Sequence, residues 1–288
     1  MTEIKKIDLH IHTTVSDGTD RPEEIIDRVR EAGIDLFSVT DHDAMYSSEV
    51  VLQHLKAGDP RFIPGIEFSC RDELGKYHIL GYAYDPYAET IRSIVETGHN
   101  TRVEKMGLRL DLIREKFGIV FSQEDRDLLF ANHNPGKPHL ANLLVRHGFA
   151  ESISQAFRDY LDSLEVPAVY IRPEEAIRAV LQSGGIPVLA HPSYGSGDEL
   201  IIGDEMEGRL RRLIGFGLAG VEAYYSGFTA RLQNEMLRFA EKFGLYVTAG
   251  SDYHGSNKMI RLGQNHLEDA GEAPDGLHRF LEAVLPRD

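Results

Sequence analysis

The sequence predicts an α/β fold in which short strands and helices alternate around a parallel sheet or barrel. Three observations lead to this prediction. Short apolar runs alternate with amphipathic helical stretches at both ends of the chain, as they do in repeated βα units. The chain has 288 residues, of which 42% are hydrophobic, so it can bury a substantial core. Between the two ends, a long stretch with helical spacing interrupts the alternation.

The first predicted strand covers residues 7–12, where aliphatic and polar residues alternate with the two-residue period of a β-strand. His10 and His12 therefore point the same way. The following stretch, SDGTDRPEEIIDRVREAG, predicts a loop and then a helix. Pro22 lies in the first turn of that helix, and Gly33 ends it.

Six further strands are predicted from short apolar runs. In chain order they are DLFSVTDHD, RFIPGIEFSC, KYHILGYAYD, GGIPVLAHPS, LAGVEAYYSG and GLYVTAGSDYHG. Helices are predicted at about 46–57, 173–183, 205–215, 229–243 and 275–284. Seven strands are nearly enough to form a barrel.

Residues 99–168 contain four helical runs, and no strand follows any of them closely. We therefore predict a discontinuous barrel domain, residues 1–98 and 169–288, with residues 99–168 as a helical insert that caps the active site. The alternative is a set of ordinary connecting helices packed on the barrel. The sequence shows no internal repeat and no low-complexity segment.

The composition restricts the partners of this protein. The chain has 31 Lys and Arg against 46 Asp and Glu, a formal charge of −15. This charge argues against broad binding to duplex nucleic acid or to an anionic membrane, but a localised phosphate site remains possible. Cys70 is the only cysteine, which excludes an intrachain disulfide and a thiolate metal cluster. The N-terminal residues do not resemble a signal peptide and no apolar run is long enough to span a membrane, so we expect a cytoplasmic protein.

Side chains able to bind a cation stand at or just after most of the predicted strand ends. In a parallel βα barrel the carboxyl ends of the strands converge on one face, so these side chains would meet there. Nitrogen and oxygen donors without sulfur suit zinc, manganese or ferrous iron. The nine candidate metal ligands are His10, His12, Asp17, His42, Glu67, His78, His191, Asp252 and His254.

Some of these residues also have ordinary structural interpretations. Asp17, in SDG, could be a turn or N-cap residue. His42 and His191 could be strand-end histidines with satisfied hydrogen bonds. Asp252 and His254 are stronger candidates, because their i, i+2 spacing repeats the H-x-H arrangement at the opposite end of the chain.

His78 differs from the others because it begins its strand. The runs on either side of CRDELGK are close enough to form a hairpin that turns near Asp72 and Glu73. We expect Glu67 and His78 to lie directly opposite each other in that hairpin, with Cβ atoms about 4.5–5.5 Å apart. This antiparallel pair would bring His78 to the same face as the other ligands.

The net charge of such a site indicates which chemical group it would bind. Three divalent ions would bring about +6, against about −3 from the carboxylates of Asp17, Glu67 and Asp252. The result is an electropositive pocket in an acidic protein. A phosphate group would suit such a pocket.

Six motifs, in order along the chain, resemble the PHP superfamily, which is named for its polymerase and histidinol-phosphatase members. They are DLHIHTTVSDG, VTDHD, GIEFS, HILGY, LAHP and GSDYHG. The resemblance covers both ends of the chain, and the ordered set is highly specific. It implies a distorted seven-stranded βα barrel with a trinuclear metal site.

The resemblance also implies how the ligands are shared. Four residues would hold the first metal, and one of them, Glu67, would bridge to a second metal held with His78 and His191. The four are His10, His12, Glu67 and Asp252. The third metal would be held by Asp17, His42 and His254. Asp41 is expected to orient a ligand or a bound water from behind the site.

The insert carries a finer resemblance. GKPHLANLLVRHG, SISQAFRDYLDS and the run before LAHP resemble stand-alone PHP phosphoesterases that dephosphorylate nucleoside 3′,5′-bisphosphates and trim short RNA from its 5′ end. That subgroup usually has Arg where this chain has Lys137, and Lys can meet a phosphate but lacks the bidentate fork. Lys137 and His139 are thus candidate substrate-binding residues. For both, packing at a helix N-terminus is the competing account.

We therefore predict a metal-dependent phosphoesterase that acts on a nucleotide phosphomonoester or on the end of a short single-stranded RNA. Its cofactors would be three divalent ions of manganese, iron or zinc. One alternative is histidinol-phosphate phosphatase, which would share the barrel and the chemistry. An alternative of another class is a non-catalytic scaffold stabilised by metals.

Overall fold

A computed structural model describes residues 5–167, 170–195 and 199–285 of the chain. The predicted boundary between insert and barrel, at residues 168 and 169, lies outside these described residues. The outer limits of the predicted barrel domain, at residues 1 and 288, also lie outside them.

The N-terminal part of the chain forms a parallel three-stranded sheet. Its strands, in spatial order, are β1 (Ile7–Ile11), β2 (Leu36–Val39) and β3 (Arg61–Phe62). The first βα unit is as predicted: α1 (Pro22–Glu31) has a proline in its first turn, and Gly33 follows it at φ +66°, which favours glycine.

The other five strands form a mixed sheet. In spatial order they are β4 (Gly65–Asp72), β5 (Gly75–Tyr82), β6 (Ile186–Leu189), β7 (Gly220–Tyr225) and β8 (Tyr246–Gly250). β5 is antiparallel to both of its neighbours, whereas β6, β7 and β8 are parallel. The predicted hairpin is therefore present.

The α/β class is confirmed, but the described residues form eight strands in two sheets instead of one closed seven-stranded barrel. The third predicted strand divides into β3 and β4. Pro64 lies between them and has no N–H for a ladder. Gly65 then passes so close to β2 that a Cβ atom would lie 2.2 Å from Ser38 Oγ, so the chain changes sheets where only glycine fits.

The two sheets meet at two seams through a few backbone contacts. At one seam the N–H of His12 donates to the carbonyl of Tyr253, at 2.9 Å. At the other, the N–H of Glu67 donates to the carbonyl of Asp41, at 3.3 Å, and His42 forms an isolated bridge with Glu67. Both seams lie beside the predicted metal ligands.

The five other helices predicted outside the insert are also present, with ends that agree within a few residues. They are α2 (Tyr46–His54), α7 (Pro173–Gln182), α8 (Gly203–Phe216), α9 (Ala230–Phe243) and α10 (Asp275–Val284). The remaining helices are α3 (Glu89–Phe117), α4 (Gln123–Phe130), α5 (Lys137–Arg146) and α6 (Ile153–Ala156), which continues into a π-helical turn at Phe157–Leu161.

Helix α3 begins ten residues before the predicted start of the insert and connects two hydrophobic cores. Near its N-terminus, Ile91 packs in the main core with the mixed sheet. Met106, Leu110 and Ile113, on the following turns, belong to a separate core with α5 and the π-helical turn. The helical segment therefore packs around a core of its own. Across the described ranges, no helix is both long and apolar enough to cross a bilayer.

Candidate active site

Glu67, on β4, is the centre of a cluster of imidazoles. The side chain is 1% exposed, and five histidines place a ring nitrogen within 3.3 Å of its carboxylate oxygens. His78 Nδ1 and His191 Nε2 lie 2.8 and 3.3 Å from Oε1. The nitrogens nearest to Oε2 are His10 Nε2 at 3.2 Å, His12 Nε2 at 3.1 Å and His42 Nδ1 at 3.0 Å.

Asp252 and His254 follow β8 and reach the same cluster. Asp252 Oδ1 lies 3.4 Å from His12 Nε2 and 3.7 Å from His10 Nε2. His254 Nε2 lies 3.3 Å from an oxygen of Asp17, whose other oxygen lies 3.8 Å from His42 Nε2. All nine predicted ligands thus come together, although their chain positions span residues 10 to 254.

The β4–β5 hairpin has a different register from the predicted one. Glu67 pairs with Leu80, and His78 pairs with Ser69, because the two-residue turn is Glu73–Leu74. The prediction that Glu67 and His78 lie directly opposite is therefore wrong by two residues. A shift of two keeps both side chains on one face of the sheet, so they still approach to 2.8 Å.

The backbone is strained where several of these side chains leave their strands. His191, just after β6, has φ +28°, and Asp252, just after β8, has φ +59°. Asp43, beside His42, has φ +52°. Such conformations are costly for residues other than glycine and concentrate at functional sites. Two of the three, His191 and Asp252, are candidate metal ligands just after the carboxyl ends of their strands.

The hydrogen bonds behind the histidines fix which nitrogen faces the cluster. His10 Nδ1 lies 3.0 Å from Glu222 Oε1 and donates its proton there, so Nε2 is the nitrogen that faces the cluster. Ser16 Oγ donates to Asp41 at 2.5 Å, which leaves its oxygen to accept from His12 Nδ1 at 3.3 Å. His254 Nδ1 donates to the carbonyl of Asp252 at 2.9 Å.

This arrangement concentrates atoms that can bind a metal ion in a small buried space. His10 Nε2 and His12 Nε2 are 3.1 Å apart, and both face Glu67 Oε2, a buried oxygen for which the described residues supply no hydrogen-bond donor of good geometry. Lone pairs that converge in a buried space repel one another unless a cation lies between them. The donor set is nitrogen and carboxylate oxygen, which divalent metal ions accept. The residues therefore fit the metal site that the sequence predicts.

The carboxylates of the cluster remain ionised despite their burial. Burial raises the pKa of Glu67, but the neighbouring histidines, His42 first, hold it well below its usual range. The same balance lowers the pKa of Asp17, where the strongest opposing neighbour is His254. For Asp252 the strongest is Lys258. Ionised carboxylates are the form that binds metal.

Asp41 is fully buried behind the cluster. It accepts hydrogen bonds from the backbone N–H of Thr13 at 2.8 Å, from the Thr13 hydroxyl at 2.6 Å and from Ser16 at 2.5 Å. Through Ser16 it acts on His12. Asp41 thus positions the loop after β1 and does not itself reach the centre of the cluster.

Two groups of residues beside the ligands were not predicted from the sequence. Glu222, on β7, is fully buried and bridges His10 to the backbone N–H of His191, at 2.8 Å. Asp252 Oδ2 accepts from Tyr225 at 3.0 Å and from Lys258 at 2.6 Å. A charged residue inside the apolar run GVEAYY could have indicated Glu222, since such a residue needs a buried partner.

A basic cavity of about 780 Å³ opens beside the cluster and is continuous with Asp17, His42 and His78. Its cationic lining residues are Arg71, Lys76, Arg102, Lys105, Arg109 and Lys137. Three of these stand on one face of α3, at positions i, i+3 and i+7. The sequence pattern R-x-x-K-x-x-x-R on one helix could have revealed this face. Asp162 and Glu165 also line the cavity.

The cations on α3 are unusually buried. Lys105 is 6% exposed, and burial together with Arg102 lowers its pKa to about 7. Arg109 is 9% exposed and its Nε lacks a hydrogen-bond acceptor in the described structure. Arg102 is bonded to Asp43 and Ser69 at 2.5 and 2.6 Å.

The two predicted substrate-binding residues have different surroundings. Lys137, in the first turn of α5, lines the basic cavity, where its Nζ lies 3.0 Å from Asp162. His139, two residues later, is mostly buried, and its Nδ1 accepts from the backbone N–H of Gly136 at 2.9 Å. That bond caps the helix N-terminus, the competing account for this residue.

Comparison with known proteins identifies the family. The PHP domain profile matches residues 8–172, more than half of the chain. This chain belongs to the PHP domain family. A 3′,5′-nucleoside bisphosphate phosphatase of Chromobacterium violaceum is 30% identical to it over 98% of both chains. A 5′-3′ exoribonuclease of Haemophilus influenzae is 29% identical, over 91% of this chain and 94% of its own.

The solved structures agree with this assignment. A solved structure from Bifidobacterium adolescentis, described as a metal-dependent phosphoesterase, is 27% identical and superposes with a TM-score of 0.83. The superposition covers 99% of this chain and 98% of the other. The family, its relatives and the metal-binding cluster make this PHP protein a metal-dependent hydrolase of phosphoric esters.

Proposed function

We propose that the enzyme removes the 3′ phosphate from a nucleoside 3′,5′-bisphosphate. The scissile phosphate would lie at the metal cluster and the 5′ phosphate in the basic cavity. The observation that carries this proposal is the buried basic face of α3, which adjoins the cluster in a protein with a formal charge of −15. The bisphosphatase of Chromobacterium violaceum gives independent support.

Burial explains why this face needs an anion. Taking Lys105 and Arg109 out of water is unfavourable unless a negative charge compensates them. Lys105 Nζ instead lies 4.3 Å from the ring centroid of Tyr170, a cation–π contact that is weaker than an ion pair with a buried anion. A second phosphate would supply the missing charge and the acceptor for Arg109 Nε.

We propose three divalent ions of manganese, iron or zinc as cofactors. One would be held by His10, His12, Glu67 and Asp252. The distances around Glu67 support a second ion held by Glu67 with His78 and His191. The distances around Asp17 support a third ion held by Asp17, His42 and His254. Divalent cations in such a site supply a nucleophilic water at neutral pH and neutralise charge that develops on the phosphoryl oxygens.

The residues of the chain prepare the site for this chemistry. Glu222 holds His10 in the tautomer that presents Nε2, while Tyr225 and Lys258 occupy one oxygen of Asp252, so its other oxygen faces the histidines. Asp41 positions the loop that carries Asp17. The cations of the basic cavity bind and orient the phosphate that does not react.

We further propose that residues 99–168 form a cap over the carboxyl-end face of a distorted barrel. The separate core of this segment and the lining of the basic cavity by α3 and α5 support the idea. A cap would admit a small nucleotide or a single-stranded RNA end and exclude a continuous duplex. It would also keep water away from the buried cations.

The test compares phosphate release by metal-loaded enzyme from adenosine 3′,5′-bisphosphate, 3′-AMP and histidinol phosphate. We expect the bisphosphate to have a kcat/KM about 10- to 100-fold above that of 3′-AMP, the effect of hydrogen bonds to a charged group. Lys105→Met and Arg109→Met should remove this preference. Arg114→Met, on the exposed side of the same helix, is the matched control.

Equal kcat/KM for 3′-AMP and the bisphosphate would contradict the proposal. Preferred turnover of histidinol phosphate would replace it with the alternative phosphatase activity. Bound metals without turnover of any ester would favour a structural role.

A further inference from the structure

A second cavity, of about 400 Å³, lies over the same cluster and differs from the basic one in chemistry. The two cavities share Lys137 and Pro138, in the first turn of α5, as lining residues. The second cavity is lined by Ile153 and Phe157 from the helical segment and by Tyr194 and Tyr225 from the other side. Its upper walls are therefore largely apolar and aromatic.

The aromatic side chains of this cavity are held in place by their surroundings. Phe157 begins the π-helical turn after α6, a distortion that is frequent at functional sites, and Lys137 Nζ lies 5.7 Å from its ring centroid. The Tyr194 hydroxyl donates to the carbonyl of Gly227 at 2.5 Å, and its ring is 39% exposed. Tyr225 lies edge-on to Tyr194 at 6.0 Å.

The polar side chains of this cavity are already engaged. Lys258 is bonded to Asp252, and Asn257 donates to the carbonyl of Asp17 at 2.8 Å. The Asn257 amide oxygen lies 3.3 Å from Asn142 Nδ2. A ligand that enters here meets ring faces and aliphatic groups more than free hydrogen-bonding groups.

The connectivity of the proposed substrate then limits what can occupy the cavity. The ribose of a nucleoside 3′,5′-bisphosphate carries three groups. With one phosphate at the cluster and the other in the basic cavity, the sugar lies near Lys137 and Pro138. Its third group, the base, must leave in another direction, and the aromatic cavity is the adjoining space on the same cluster.

We infer that this second cavity binds the base of the nucleoside bisphosphate by stacking, with Phe157 and Tyr194 as the residues that recognise a flat ring. The inference rests on the proposed function and adds to it a base site with little selectivity among bases. Stacking tolerates any base, because every base has a π-face. The engaged polar groups leave little to distinguish one base from another.

The test uses metal-loaded enzyme and two substrates, adenosine 3′,5′-bisphosphate and ribose 3,5-bisphosphate, which lacks the base. We expect the base to increase kcat/KM about 10-fold, mainly through KM. Phe157→Leu and Tyr194→Leu should remove most of this increase, so that the two bisphosphates approach the same kcat/KM. The guanosine and cytidine 3′,5′-bisphosphates should stay within about 5-fold of the adenosine compound.

Phe149→Leu, a partly exposed position of the helical segment outside both cavities, is the control, and thermal melting of each variant confirms folding. Equal kcat/KM for the two bisphosphates would overturn the base site while leaving the proposed function intact. A preference for one base of 100-fold or more would overturn the stacking account. Turnover of neither bisphosphate would overturn the proposed function and the base site together.

Discussion

At the scale of single residues, the site depends on the hydrogen-bond partners of the candidate metal ligands as much as on the ligands themselves. Glu222 shows this most clearly, since its two oxygens accept from two different donors. One donor belongs to His10 and the other is the backbone N–H of His191, so one carboxylate orders two sides of the cluster. The sequence offers no ligand spacing that would single this residue out.

Glu222→Gln should weaken metal binding about 10- to 100-fold, the usual effect of losing a partner behind a metal ligand. An amide has one acceptor oxygen, so it cannot serve both His10 and His191. Titration of the metal-free protein against a chelator measures this affinity without any enzyme assay. Glu235→Gln, a buried glutamate that accepts from Gly203 at 2.8 Å, is the control. Unchanged affinity in Glu222→Gln would contradict the role of this carboxylate.

Lys105 gives a prediction about pH, because its pKa falls from 10.5 in the unfolded chain to about 7 in the native one. Between these values the unfolded chain binds more protons, so stability should rise as pH rises from about 7 to about 10. Below pH 7 Lys105 is protonated in both states, so the full free-energy cost of burying its charge remains. Lys105→Met should therefore be the more stable protein near pH 6, by about 2–4 kcal/mol, with a difference that shrinks at high pH.

Urea unfolding of the metal-loaded wild type and Lys105→Met at several pH values measures this difference. Lys116→Met, an exposed lysine on the same helix, should show no comparable trend. A constant difference between the Lys105→Met and wild-type free energies across this range would contradict the assigned pKa.

At the scale of elements, α3 joins the two parts of the molecule. Ile91 packs with the mixed sheet, and further along the helix one face carries the cations of the basic cavity while another packs in the core of the helical segment. Any movement of this segment relative to the sheets would therefore move the cations of the basic cavity. α5 has a similar position, because its first turn lines both cavities and its later turns fill the same core.

Leu144→Ala, in the core of the helical segment, tests whether that segment is a separate cooperative unit. Removing this buried side chain should cost about 2–5 kcal/mol, and the loss should appear first in α4 and α5. Hydrogen exchange should show faster exchange there, with the strands still protected and the metals still bound. Leu210→Ala, in the main core, should affect the strands instead. Equal loss of protection throughout the Leu144→Ala protein would contradict two units.

At the scale of the whole molecule, the ligand cluster lies between the two sheets. His10, His12 and His42 come from the end of the parallel sheet, while Glu67, His78 and His191 come from the mixed sheet. Few backbone hydrogen bonds cross the seams, so metals bound to both sides would act as cross-links. Without them, buried carboxylates and lone pairs would face one another.

Metal removal should therefore lower the stability of the whole protein. At a metal concentration about 100 times the dissociation constant, binding adds about 2.7 kcal/mol, which corresponds to a Tm shift of about 5–10 °C for a chain of this size. Calorimetry of metal-loaded and chelator-treated protein measures the shift. A chelator-treated sample that melts at the same temperature, with metal loss verified by elemental analysis, would show that the cluster does not join the sheets.

The α/β class, the βα order and the set of residues that meet at the cluster could all be predicted from the sequence. Strand periodicity and the geometry of parallel strands were sufficient for these predictions. A two-residue period places His10 and His12 on one side of a strand, and the carboxyl ends of parallel strands converge whatever the sequence between them. The resemblance of six ordered motifs then gave the family, which the match to residues 8–172 confirmed.

The hairpin register, the division into two sheets and the residues that support the ligands became known from the folded structure. The hairpin register depended on the position of a two-residue turn, and the change of sheet on a close approach between Gly65 and Ser38. Glu222 and Arg102, on the basic face of α3, contact their partners across long sequence separations, so a local pattern can mark these residues as unusual but cannot name their partners. Such contacts depend on packing, and packing is a property of the folded chain.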